Sequence, residues 1–438
     1  MSFDLKIDSS DISLKDAVEF IVDNRGKTAP TASEGIALIA TNCVNNSDLY
    51  PQKLNLRYVS QETYETWFRS HPKPGDILLT NKGSQNGAIC LVPDPVDFCI
   101  AQDMVALRAD PKKINPRYLF AALRSDIVQK RIKALNVDAV IPHLKKTDFN
   151  KLFIPMPSRS VQDWIGDYYF ELSSRIELLR ETNTTLEAIA QALFKSWFVD
   201  FDPVHAKQQG RIPEGMDETT ATLFPDSFEE SELGLVPKRW NTCAVYDLAA
   251  YINGAAYKAF EPNLERQGLP IIKIAELKSG ISTQTAFSDV SMPEKYRIQT
   301  KDILFSWSGN PDTSIDTFVW ALDEAWLNQH IFRVLPNEAT ERSFVLQTLK
   351  HLRPVFAELA RNKQTTGLGH VTVADLKRLQ IIKPKKSILE YFDSVVSPIH
   401  DEIFNNVQMI QSLANLRDTL LPRLISGQLR LPEIEKLL

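Results

Sequence analysis

Two stretches of this chain repeat one another, and that repeat limits what the chain can fold into. Residues 227 positions apart (370 minus 143) match at landmark after landmark: Gln102 and Gln329, His143 and His370, Asp148 and Asp375, Pro157 and Pro384, Leu186 and Leu413, Leu193 and Leu420. Asp76-Ile77-Leu78 returns as Asp302-Ile303-Leu304 after a slip of one residue. Identity is low, but the register holds from Gln102 to Leu193, which chance does not preserve. The chain therefore reads as globule, helix, globule, helix.

Each repeat closes in a long helical pattern. In the first, apolar residues fall at Ile165, Tyr168, Leu172, Ile176, Leu179, Leu186, Ile189 and Leu193; in the second, at Phe392, Val395, Ile399, Ile403, Ile410, Leu413, Leu416 and Leu420. Spacings of three and four put them on one stripe, which must be buried against a partner. At ~1.5 Å per residue, helices of roughly 40 residues span roughly 60 Å. Nothing else in the chain has that reach, so each helix is the expected mate of the other. Because each globule precedes its helix, antiparallel pairing is expected to hold the globules at opposite ends of a rod, as in a ruler. The expected class is α+β: two similar mixed α/β globules, each followed by a long helix, with the helices forming an antiparallel coiled coil and a pseudo-twofold repeat. Prolines and composition place the boundaries at 1–157, 158–202, 203–236, 237–386 and 387–438.

Within the first globule, strands are expected at Ile36–Ala40, Ile77–Thr80, Ala88–Val92 and Cys99–Leu107, and Leu14–Val22 is a further apolar run. Helices are expected over Ser60–Phe68, capped by Ser60, and from Asn115-Pro116 to about Leu135. The connector Asp200–Val236 carries nine acidic residues against Lys207 and Arg211, which reads as an extended, solvated linker.

The net charge of −5 does not by itself announce a polyanion partner, but its distribution does. Arg342–Lys386 carries ten Lys and Arg against Glu358 and Asp375. A similar excess recurs in the first half through Arg124, Lys130, Arg131, Lys133, Lys145, Lys146 and Lys151. Two basic surfaces in two repeats favour a polyanion partner. No apolar run approaches membrane-spanning length, and Met1–Asp11 lacks the apolar core of a secretory signal, so a cytoplasmic location is expected. Cys43, Cys90, Cys99 and Cys243 share no Cys-x-x-Cys spacing, so free thiols rather than a zinc site are expected.

Motifs for catalysis fare poorly. Asn115-Pro116-Arg117-Tyr118 resembles the Asn-Pro-Pro-Tyr of amino-methyltransferases, but its third residue is Arg and no glycine-rich cofactor loop follows a strand. An Asn N-cap with Pro in the first turn explains it better. Gly26-Lys27-Thr28 lacks the upstream glycine of a phosphate-binding loop, where Ile21 stands. Glu276-Leu277-Lys278 and Asp375-Leu376-Lys377 fit half of a nuclease metal site without an acidic partner. A chain with no chemistry and no metal of its own is expected. Three loop pairs suit recognition instead: Asn81–Gly87 with Ser306–Asn310, Val140–Lys146 with Gly367–Thr372, and Arg25–Lys27 with Asn253-Gly254 and Tyr257-Lys258. Their Lys, Asn, Gln and Ser groups are of the kind that read base edges or grip phosphate. The candidate contacts are Arg25, Lys27, Lys82, Ser84, Asn86, His143, Lys145, Lys146, Lys258, Trp307, Ser308, Asn310, His370 and Thr372.

The run Leu186-Glu-Ala-Ile-Ala-Gln-Ala-Leu-Phe-Lys-Ser-Trp-Phe-Val-Asp-Phe-Asp-Pro203 resembles the central conserved region of type I restriction-modification specificity (S) subunits. Leu420-Leu-Pro-Arg-Leu-Ile-Ser-Gly-Gln-Leu-Arg430 resembles that family's closing motif. Arg25-Gly-Lys-Thr28, Gly75-Asp-Ile-Leu78 and Ser306-Trp-Ser-Gly309 resemble features of its target recognition domains. The resemblance implies a non-catalytic DNA reader in which each target recognition domain binds one half of a split double-stranded site and the helices fix the gap. It further implies two modification (M) subunits that carry S-adenosylmethionine and methylate adenine N6, and restriction (R) subunits that use ATP and Mg. The rivals are a self-sufficient DNA methyltransferase or nuclease, and a coiled-coil scaffold. Phe194, Trp197, Phe198 and Phe201 exceed what one helix stripe needs, so they are expected to form an outward surface where an M subunit docks.

Overall fold

The computed structural model describes residues 11–24, 26–53, 55–136, 141–263, 265–364, 368–425 and 427. Contacts divide the chain into two compact units. Unit 1 runs to Leu179 and resumes at Met409; unit 2 is Arg180–Gln408.

The repeat extends to the order of the main sheet in each unit. In unit 1 a four-stranded antiparallel sheet has the order Val18–Asp23, Met104–Ala109, Ile77–Thr80, Ile89–Leu91. In unit 2 the same order reads Ala249–Asn253, Ile331–Pro336, Ile303–Ser306, Asp316–Val319. Beside it, a second sheet pairs Ile36–Ile39 parallel with Phe98–Ile100 in unit 1, and Leu269–Ile272 parallel with Ala325–Leu327 in unit 2. A two-stranded clasp then ties the start of each globule to its end: Ile12–Ser13 with Phe153–Ile154, and Asn241–Ala244 with Gln380–Lys383.

The central strands read as unbroken apolar runs because both faces are covered. Ile77 and Leu79 enter a core shared with the helices Pro116–Arg124 and Asp126–Ala134, while Leu78 enters the core beneath the second sheet. Ile303 and Phe305 divide from Leu304 in the same way. The expected strand Cys99–Leu107 is two strands in two sheets, because the chain turns at Gln102 and Asp103. The expected helix to Leu135 is likewise two helices: Ser125 leaves helical geometry, and its hydroxyl caps the second at Val128 N. The run Leu14–Val22 also divides, into one helical turn, Leu14–Ala17, and the strand that follows.

The long helices are Arg159–Phe198 and Lys386–Ile425, and each contributes one half to each unit. Within unit 2 they run antiparallel. Asn183 Nδ2 donates to Ile403 O (3.3 Å) and Asn406 Nδ2 donates to Asn183 Oδ1 (2.9 Å), while Trp197 stacks on Tyr391 at 5.8 Å. Within unit 1, Ile165 and Tyr169 share a core with Leu421, Leu424 and Ile425, and Arg417 Nη1 donates to Ser173 Oγ (3.4 Å). Gly166 permits close packing there, since a Cβ would lie 2.6 Å from Tyr118 N. Among the described residues no helix is long and apolar enough to cross a membrane.

Three further expectations need correction. The buried stripe includes Ser173, Ala190, Phe194, Val396 and Arg417, and it leaves Ile189 and Leu416 exposed. The acidic connector is not an extended linker. It forms the helices Asp202–Gln208 and Glu218–Ala221 and the hairpin Phe228–Ser231 with Gly234–Pro237. Val204, Phe224 and Val236 are buried, the first two in the unit 2 core, so sparse apolar anchors outweigh the self-repulsion of the acids. Finally, Phe194, Trp197 and Phe198 do not face outward. They are 4, 7 and 5% exposed, closed over by Phe344, Tyr391, Phe392 and Trp240, and Phe201 packs edge-on against Trp240 at 5.8 Å. The aromatic surplus seats the C-terminal end of the first long helix in the unit 2 core.

A polar network completes that seat. Glu187 lies 2.5 Å from Lys350 Nζ, and Gln347 Nε2 reaches both Glu187 (3.3 Å) and His400 Nε2 (2.9 Å). Burial pushes His400 down to about 4, against the upward pull of Glu187; the positive charges of Lys350 and Arg342 push the same way as burial, and Asp401 adds a weaker upward influence. The folded form therefore binds its proton less tightly than the unfolded chain does. That stability is fully present above the ordinary histidine value and is lost as pH falls from ~6.5 towards 4. Unit 2 should lose on the order of 3 kcal/mol over that window. In His400→Gln the loss should be much smaller, as read by denaturant midpoints at pH 7 and 4.5; equal pH dependence in both proteins would refute the assignment.

Candidate nucleic-acid interface

In each unit the strand ends and two loops meet at one corner of the four-stranded sheet. In unit 1 the corner forms where Val18–Asp23 and Ile77–Thr80 end and Met104–Ala109 begins. Asn81 N donates to Asp103 O (3.1 Å), and Leu144 N donates to Asn81 O (2.9 Å). Lys82 and His143 then face each other in an antiparallel bridge. Gly83 N donates to Pro142 O (3.0 Å), so the loop after the Asp-Ile-Leu strand and the histidine loop are stitched together. Gln102 Nε2 reaches Thr28 Oγ1 (3.4 Å), which brings the segment holding Lys27 to the same place.

Unit 2 repeats the construction. Trp307 N donates to His330 O (3.3 Å), Val371 N donates to Trp307 O (2.9 Å), and Ser308 pairs with His370. Thus Ser308 stands where Lys82 stands, and His370 where His143 does. The Trp307 indole donates to Asn253 Oδ1 (3.1 Å) and lies 5.7 Å from the His330 ring. Lys258 is exposed on the short helix Tyr257–Phe260, just beyond the bridge of Ala255 with Asn328.

Most of the expected contacts gather at these corners, with different freedom. Lys27, Lys82, Ser84 and Lys145 are exposed side chains, while Lys146 is paired with Asp23. Asn86 is structural, since its Oδ1 accepts from Leu144 N (3.3 Å) and its Nδ2 donates to Asn136 Oδ1 (2.7 Å). Asn310 Oδ1 closes its own turn by accepting from Asp312 N and Thr313 N. Thr372 caps the helix Val373–Arg378 in a reciprocal box with Asp375. Arg25 lies outside the described residues, as do Val140, Gly367, Ser426 and Gln428–Arg430.

The basic runs are largely internal ion pairs rather than free cationic surfaces. Lys350 meets Glu187, Arg353 Asp316, Arg361 Asp312, Lys383 Glu341 and Lys386 Glu338, while Lys363 and Arg378 share Asp375. In unit 1, Arg124 donates to the carbonyls of Ile89 and Asn45, and Arg131 and Lys151 pair with Asp11 and Asp148. Apart from Asp375 and Asp148, the neutralising acids lie far away in number, where a count along the sequence could not see them. Glu276 is likewise occupied, accepting from Lys273 N (3.0 Å) and Thr285 Oγ1 (3.3 Å). Among the described residues no group of three or more His, Cys, Asp or Glu could hold a metal ion.

Sequence reasoning did not single out Asp103 or His330, which stand at these corners, and it placed Asn253 in a recognition loop without counting it among the contacts. The matching pair Gln102 and Gln329 was the available signal, since Asp103 and His330 are the next residues. A family model described as "Type I restriction modification DNA specificity domain" matches residues 10–188 and 237–408, the two repeats. The chain is 25% identical over 405 residues to the type I restriction enzyme HindI specificity subunit of Haemophilus influenzae, covering 82% of this chain and 87% of the relative. It is 25% identical over 390 residues to the type I restriction enzyme MjaIX specificity subunit of Methanocaldococcus jannaschii, covering 84% and 81%. The fold is similar to the crystal structure of a type I restriction-modification system S subunit from M. genitalium, with a TM-score of 0.55 and 15% identity over 97% of this chain and 98% of that one.

Proposed function

The chain belongs to the type I restriction-modification DNA specificity family, and from that premise we propose that each of its two corners reads one half of a bipartite duplex site. The observation that carries this reading is the duplicated corner itself. The same backbone bonds, Asn81 to Asp103 and Trp307 to His330, hold different side chains in the two units. One scaffold with two sets of contact groups suits two different half-sites. The paired long helices set the gap between the half-sites.

The chain contributes recognition and its partners contribute chemistry: S-adenosylmethionine belongs to two modification subunits, ATP and Mg to restriction subunits. Capping and ion pairing occupy Asp375, and Glu276 is buried and hydrogen-bonded, which supports a chain without a metal-dependent step of its own. Mapping methylated bases in host DNA with and without the chain tests the proposal. A split motif that depends on the chain is expected; DNA turnover by the purified chain alone would favour a self-sufficient enzyme instead.

The docking points for the modification subunits fall on the long helices away from the buried rings. Ile189 and Leu416 are 44 and 38% exposed, occupy equivalent positions in the repeat, and lie in different units. Two points related by the repeat suit two copies of one partner. Ile189→Asp and Leu416→Asp should each remove one modification subunit from the complex, with a stability change within ~0.5 kcal/mol because both sites are on the surface. Light scattering of the purified complex would show a single copy lost per substitution; full stoichiometry in the double variant would discard these points.

A further inference from the structure

The two corners differ in hydrogen-bond character at the positions where the repeat makes them directly comparable. Asn253 and Asp23 end equivalent strands, opposite Phe332 and Val105 in register. His330 and Asp103 precede equivalent neighbouring strands, and their carbonyls accept from Trp307 N and Asn81 N.

In unit 2 both side chains are set as donors. An indole N–H can only donate, so the contact at 3.1 Å fixes Asn253 Oδ1 as the acceptor and leaves both N–H groups of Nδ2 without a partner among the described residues. Gln329 Nε2 also can only donate, so at 3.3 Å it makes His330 Nε2 the acceptor and places the ring proton on Nδ1. Asn253 and His330 are both exposed, and both lie against Trp307. In unit 1 the equivalent residues are carboxylates, which can only accept. Lys146 holds Asp23, whereas the Asp103 carboxylate is half-buried and has no hydrogen-bond partner among the described residues.

We infer that these positions set the base preference of each half-site: Asn253 and His330 of unit 2 read a guanine through its adjacent N7 and O6 acceptors, and Asp103 of unit 1 reads an amino-bearing base, cytosine N4 or adenine N6. The inference rests on the DNA-reading proposal and adds to it which residues specify and for what. Two adjacent acceptors on one major-groove edge are found on guanine, while thymine offers O4 alone. Arg or Lys contacts to phosphate carry no such information.

The test is methylation mapping with the full complex of this chain and its modification subunits, wild type against Asn253→Asp and Asp103→Asn. Asn253→Asp keeps an oxygen for the Trp307 indole and replaces the donor pair with an acceptor. It should cut methylation of the original site by ~10- to 100-fold and abolish the guanine requirement at one position of one half-site. Asp103→Asn should relax an adenine or cytosine position in the other half-site alone. If Asn253→Asp fails to fold, His330→Asp addresses the same corner from an exposed loop. Retention of the guanine requirement, relaxation at a position that is not guanine, or equal relaxation of both halves would overturn the inference. A wild-type map with no bipartite motif would instead overturn the DNA-reading proposal beneath it.

Discussion

Phe198→Ala is expected to unfold unit 2 rather than to weaken partner assembly alone. The ring is 5% exposed and meets five others: Phe392 at 4.9 Å, Phe344 at 5.1 Å and nearly perpendicular, Phe194 at 5.5 Å, Trp240 at 6.0 Å and Trp197 at 6.1 Å. Those partners come from the first long helix, the second long helix, the helix Arg342–His351 and the turn between the strands Gly234–Pro237 and Asn241–Ala244, so one deletion loosens four elements. Truncating a buried Phe costs ~3–5 kcal/mol, a large share of the ~5–15 kcal/mol that holds a domain together. Unit 1 has a separate core around Ile77, Tyr118, Phe120 and Ile165 and should keep its protection. Hydrogen exchange would report this directly, with Ile303–Ser306 losing protection while Ile77–Thr80 retains it. If both strands stayed protected and only modification-subunit binding were lost, the rings would be a docking surface after all.

How far the sequence revealed the molecule follows from what each signal measures. The repeat offset is a statement about backbone position, and backbone position is what the two units share, so the duplicated globules and the pairing of their loops were within reach. The Ser60 cap, the strand Ile77–Thr80 and the Asn115-Pro116 helix start are local, and each stands in the structure. Burial is not local. Ile189 and Leu416 fit the spacing of a stripe, but the buried face is set one position away by Ala190 and Arg417, because the helix must also accommodate the globule it leaves. The connector failed for a related reason: nine acids mark solvated surface, but they do not show that Val204 and Phe224 anchor it. At the site, Lys82, His143, Ser308 and His370 were visible as loop residues at a strand end. Asp103 was not, because Cys99–Leu107 reads as one continuous strand and only the fold shows that it turns between two sheets; His330 is its equivalent in the second unit.

Asp76→Ala should destabilise unit 1 by ~3–5 kcal/mol, as for a buried ion pair deprived of one partner. Asp76 is 2% exposed and grips Arg108 with both oxygens, at 2.9 and 2.8 Å, while accepting from Lys73 N at 2.8 Å. Removal leaves a guanidinium with 22% side-chain exposure and an orphaned turn amide, and both costs fall on the edge where Ile77–Thr80 begins. Unit 2 carries the same device, with Arg333 Nε 2.7 Å from Asp302 and Gln299 N donating to Asp302 at 2.6 Å. Asp302→Ala should therefore reproduce the defect in unit 2 alone. The shared Asp-Ile-Leu element thus fixes where the strand starts, and the corner loop leaves from its far end. The double variant Asp76→Leu with Arg108→Met should recover much of the lost stability, because two apolar groups in place of a buried pair are often neutral. It should also keep the methylation motif unchanged. A motif altered in the stable double variant would show that the pair positions the corner loop as well as stabilising the unit.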